Sequence, residues 1–279
     1  MTKPIASLPF RATVSLPNTL NESQLSLVVS GADPAGTLEQ TDKIFSYFAT
    51  AANGGLFSGD RARPTESLLE VLAREMEAGR IRYRCKVRAI DPGGFQILLR
   101  LLSEISRRFE PLREVSLTGT SPTTGGMTFQ AVLACPLPAS APTLPFELRV
   151  GDYSFQTRDP VIRMEFQQAV QDDQFDRIKV LMDAWDNILM LGGYPAGLEP
   201  DDEEPESRDA ASPTAAETKA EPEAGEFFVM PGEFYLAEPT VLEHLLHGFE
   251  GPEEAYNAVI NLAVKLHATG CPLVALEIE

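Results

Sequence analysis

The feature that most restricts the fold of this chain is that its pattern of elements occurs twice. Residues 10–17 (FRATVSLP) return as residues 129–136 (FQAVLACP). Each copy is followed by a turn and a second alternating run, at 25–29 and 146–150, closed by Gly31 and Gly151. Apolar residues at every second position mark half-buried strands, and two in succession predict a hairpin. An amphipathic helix is then predicted over 37–52, with Ile44, Tyr47, Phe48 and Ala51 on one face. Its counterpart is predicted over 175–191, with Ile178, Leu181, Met182, Trp185 and Leu189 on one face. Both end in paired glycines, Gly54-Gly55 and Gly192-Gly193, as helix stops do. Each half then has a strand running into an acid and a proline (86–92 and 234–239), a helical pattern, and a closing strand (115–117 and 273–278).

An approximate order β-β-α-β-α-β in each half predicts an α+β fold of two tandem related modules. The first is expected at 3–118, a polar linker at 119–126 and the second at 127–279. In each, helices pack on one face of a sheet, and the two modules stand in a pseudo-twofold arrangement within a single chain. The halves differ locally. The spacing of Leu68, Leu69, Leu72 and Met76 predicts an extra helix over 64–78, and 161–171 is expected to be helical. The stretch 195–226 is rich in Asp, Glu, Pro and Ala. It has too little apolar surface to offset its ordering entropy, so a disordered acidic insert is expected there.

Charge is unevenly placed. The net value is −18, yet residues 1–122 hold 15 Lys+Arg against 13 Asp+Glu, whereas residues 123–279 hold 8 against 28. Residues 199–226 alone carry 11 acids and 2 bases. So acidic a chain is not expected to be drawn to nucleic acid or to an anionic membrane. The N-terminus has no apolar signal core and no stretch is long enough to span a bilayer. Cys85, Cys135 and Cys271 are few and widely spaced, which fits reduced thiols and a cytoplasmic location.

One basic segment stands out against this background. In 80–89 (RIRYRCKVRA), a period of two places Arg80, Arg82, Arg84, Lys86 and Arg88 on one side of a strand and Ile81, Tyr83, Cys85, Val87 and Ala89 on the other. Such a row is tolerated if it is solvated, if neighbouring acids pair with it, or if an anion or acidic partner docks there. No aromatic platform accompanies it, as single-strand nucleic-acid binding would need.

Metal chemistry has only weak candidates: His244 and His247, spaced i, i+3 on an expected helix, with Glu250 one turn further on. No nucleophile elbow, dinucleotide fingerprint or phosphate loop occurs, so no catalytic residue and no cofactor is assigned. These observations favour a non-enzymatic cytoplasmic protein-binding module of inhibitor, immunity or chaperone-like adaptor type, presenting an acidic surface to a protein partner. The alternatives are an enzyme with a carboxylate/histidine site between the modules, and an anion or nucleic-acid binder using the Arg80 to Arg88 row.

Overall fold

A computed structural model describes residues 8–17, 20, 22–34, 37–59, 63–120, 126–151, 159–194, 232–247 and 252–279. It is a mixed α+β structure with two sheets and helices packed against them. The first half runs β1 (Arg11–Pro17), β2 (Ser23–Gly31), α1 (Glu39–Asn53), β3 (Leu68–Glu77), β4 (Arg80–Arg88), α2 (Gly94–Arg108) and β5 (Leu112–Thr120). A short β6 (Gly126–Thr128) and α3 (Phe129–Leu133) follow. The second half runs β7 (Glu147–Val150), β8 (Val161–Phe166), α4 (Asp172–Met190), β9 (Glu233–Glu238), β10 (Val241–Leu245), α5 (Glu253–Ala268) and β11 (Leu273–Ile278).

The strand order is β3-β4-β2-β5-β1-β6 in the first sheet and β7-β11-β8-β10-β9 in the second. Apart from the added edge strand β6, the two orders are the same when β1 is matched with β7, β2 with β8, β3 with β9, β4 with β10 and β5 with β11. Pairing directions match as well. β1 and β5 are parallel, as are β7 and β11, and the remaining equivalent neighbours are antiparallel. The same topology therefore occurs in both halves, and each half contains one strand more than its sequence pattern predicts.

That strand is the correction at 64–78. Leu68–Glu77 is not a helix but edge strand β3, paired antiparallel with β4 through a bulge between Val71 and Ala73. Residues 161–166 form strand β8, with Ile162, Met164 and Phe166 turned inward, where a helix was expected. Residues 129–133 are helix α3 rather than a strand, and the Thr128 hydroxyl accepts from the Ala131 N–H at their start. The counterparts of β1 and β2 are consequently β7 and β8, one element later than the sequence match places them. Residues 119–120 and 126, expected in the join, belong to β5 and β6. Residues 121–125, and the whole of the acidic stretch 195–226, lie outside the described residues.

The inner face of the first sheet is apolar: Leu25, Leu27, Val29, Ile81, Tyr83, Val87, Val115 and Leu117 are buried. Phe45 of α1 packs on Tyr83 with ring centroids 4.0 Å apart. In the second half Trp185 of α4 lies edge-on to His244 of β10 at 6.0 Å. The equivalent helices α1 and α4 pack against each other, so the layers run sheet, helices, helices, sheet. The Gly-Gly stops allow the close approach in both directions. A Cβ on Gly54 would meet Leu181 at 2.8 Å, and one on Gly193 would meet Ile97 at 3.0 Å. The second glycine of one pair (Gly55, φ 86°) and the first of the other (Gly192, φ 75°) adopt the left-handed backbone that terminates each helix. These reciprocal contacts form a pseudo-twofold junction. The buried apolar side chains of both halves form one continuous cluster.

Candidate functional site

Among the described residues no helix covers the outer face of either sheet. On the first sheet, the alternation in β4 is as the period predicts. Ile81, Tyr83, Cys85 and Val87 are buried, and Arg80, Arg82, Arg84, Lys86 and Arg88 lie on the outer face. Strand β3 places Glu70 opposite Lys86, Glu75 opposite Arg82 and Glu77 opposite Arg80. Glu75 bridges Arg84 at 3.3 Å and Arg82 at 3.5 Å, while Arg88 reaches Glu22 at 3.9 Å. On the other side β2 and β5 present Gln24, Ser26, Ser30, Ser116 and Thr118. The basic row is thus solvated and partly neutralised by the edge strand.

The outer face of the second sheet has the opposite balance. Registers place Glu147 and Arg149 of β7, Glu277 of β11, Arg163 and Glu165 of β8, Glu243 of β10 and Glu233 and Tyr235 of β9 on that face. Arg149 pairs with Glu147 at 2.7 Å, and Arg163 with Glu243 at 3.6 Å. The Tyr235 hydroxyl donates to Glu243 at 2.6 Å. The hydrogen bond and charge of Arg149 hold the Glu147 carboxyl below the usual carboxylate range. Five glutamates share two arginines, and Tyr235 and Leu245 supply apolar area among them.

No protein-family model matches the chain, and no curated protein matches it in sequence.

The histidines do not converge. Residues 241–245 form a strand, not a helix, so an i, i+3 spacing does not bring His244 and His247 to one face. His244 points inward and is 1% exposed. Its Nε2 lies 2.8 Å from Asp186 of α4, itself 2% exposed. His247 is half exposed, 3.7 Å from Asp159 and 3.9 Å from Glu233. Glu250 lies outside the described residues, and among the described residues no three His, Cys, Asp or Glu groups could hold a metal ion. The Asp186–His244 pair is sealed between the second sheet and α4, inside one half rather than between the halves. His244 Nδ1 and Asp186 Oδ2 are buried with no hydrogen-bond partner among the described residues.

Two grooves that sequence patterning does not indicate run along α1. One, of about 530 Å³, lies between α1 and β3 and contains Asp42, Arg74 and Tyr83. Arg74 donates to both oxygens of Asp42 (2.7 and 2.6 Å), and the Tyr83 hydroxyl donates to Oδ1 of the same carboxylate. Burial pushes the Asp42 carboxyl up, but these hydrogen bonds outweigh it and its pKa ends below the ordinary value. The other, of about 490 Å³, lies where α1, α4 and α5 meet.

Proposed function

We propose that this protein is a non-enzymatic binding module that receives a basic protein partner on the outer face of its second sheet. The observation that carries this reading is the glutamate-rich face around Tyr235, which no helix covers among the described residues, in a molecule whose net charge is −18. An acidic molecule draws a basic partner toward it over long range, and the charge pattern of the face then sets the docking register. Tyr235 and Leu245, on the same face as the glutamates, supply the apolar area that interfaces need. We read it as an adaptor of inhibitor, immunity or chaperone-like type, and Cys85, Cys135 and Cys271, which form no disulfide, suit the reducing cytoplasm.

The test is capture from the native cell by three forms of the protein: unaltered, Glu165→Lys/Glu277→Lys, and Arg82→Glu/Arg84→Glu. The expected result is a basic protein, released by roughly 0.5 M salt, that the first and third forms retain and the second loses. Loss by the third form alone would instead place the binding surface on the Arg80 to Arg88 row.

A further inference from the structure

The second groove differs in chemistry from both sheet faces. It is lined by the apolar side chains of Val180 and Leu181 of α4 and Leu262 and Leu266 of α5, together with the cations Lys265 and Arg177. Lys265 is a half-buried ammonium that reaches across the junction of the two halves. It donates to the Ser67 carbonyl at 2.7 Å and lies 3.4 Å from the Ser67 hydroxyl. No carboxylate pairs with it among the described residues, and the charges acting on it are those of two other cations, Arg177 and Arg88. Arg177, an exposed residue, donates from one amino group to the Thr269 hydroxyl at 2.6 Å and from the other to the Thr269 carbonyl at 3.5 Å, and it has no acid partner among the described residues. A half-buried cation without a counter-ion is costly unless an anion completes the site. Clefts of a few hundred cubic ångströms, mostly apolar with a few convergent polar groups, are the usual form of small-molecule sites, and they favour the seams between structural units.

We propose that this cleft binds a small organic monocarboxylate with an apolar body. The acid group would be held by Lys265 and Arg177, and the hydrocarbon would lie along Val180, Leu181, Leu262 and Leu266. Asp176, exposed beside Arg177 and lining the same cleft, opposes a second acid group and so disfavours dicarboxylates. Burial, and then the charges of Arg177 and Arg88, bring the Lys265 pKa down to about 8. Binding should therefore be strong at neutral pH and fade as pH rises through that value. The bound carboxylate in turn favours the charged amine and raises its pKa.

The probe is octanoate, titrated calorimetrically into the full chain at pH 7, with 1-octanol and inorganic phosphate as comparisons. One octanoate per chain is expected, and neither comparison compound should bind as well. Lys265→Met should weaken octanoate at least tenfold, and raising the pH from 7 to 9.5 should do the same in the unaltered protein. Val180→Glu, at an exposed position, should also weaken it tenfold and keeps the proposal testable if Lys265→Met fails to fold. Failure of octanoate to bind at millimolar concentration would overturn the proposal. So would equal binding of octanol, preferential binding of phosphate, or an affinity unchanged in the folded variants.

Discussion

Asp42 shows how a single side chain joins elements that are far apart in sequence. It sits on α1 and is the shared acceptor for Arg74 of edge strand β3 and Tyr83 of β4. Hydrogen bonds to a charged group contribute about 1.5–3 kcal/mol each, and an orphaned partner adds a desolvation cost. Asp42→Asn is therefore expected to lower stability by about 1–3 kcal/mol in denaturant unfolding. Because the folded-state pKa of Asp42 is below its ordinary value of 3.8, its contribution is present above that value and disappears as pH falls through the folded pKa. The difference between Asp42→Asn and the unaltered protein should thus narrow below about pH 4. The thiols give a second expectation. Cys85 and Cys271 are buried, and burial pushes the Cys85 thiol up to about 12. Only the partly exposed Cys135 should react quickly with a thiol reagent in the native protein, and all three should react in denaturant. Rapid native labelling of Cys85 would contradict the packing of β4.

Strands β3 and β4 show what the sequence makes legible and what it does not. In β4 a strict alternation of cations with apolar residues carries its own period, and the structure follows it residue by residue. In β3 (LLEVLAREME) almost every residue is a good helix former, and the spacing of Leu68, Leu72 and Met76 suits a helical face. Pairing with β4 overrides that propensity, and the bulge at Val71–Ala73 shifts the alternation that would have revealed a strand. The start of α1 is legible to within two residues, but what caps it is not. Its N-terminal amides, on Gln40 and Thr41, donate to Glu110, about seventy residues away in sequence (2.8 and 3.1 Å). The cleft beneath Lys265 is illegible for the same reason, since its walls come from three helices with no common local pattern. The element-scale prediction contrasts the two sides of β4. Ile81→Asp places an unpaired charge in the core and should abolish folding, as seen by circular dichroism. Arg82→Glu/Arg84→Glu removes exposed pairs worth about 0.2–1 kcal/mol each and should cost no more than about 2 kcal/mol.

The two halves meet through equivalent helices and share one apolar cluster, so neither is expected to melt independently. Scanning calorimetry should show a single cooperative transition in which both halves participate. Two resolved transitions would mean that the α1–α4 contact contributes little. The same feature, a strand order repeated in both halves, has a consequence for how surfaces can diverge. In a symmetric pair of identical chains, any substitution is made on both copies at once, so opposite faces must keep the same character. Joining the copies in one chain removes that constraint. One sheet could then keep its line of arginines while its twin gathered glutamates, with the shared scaffold between them left intact.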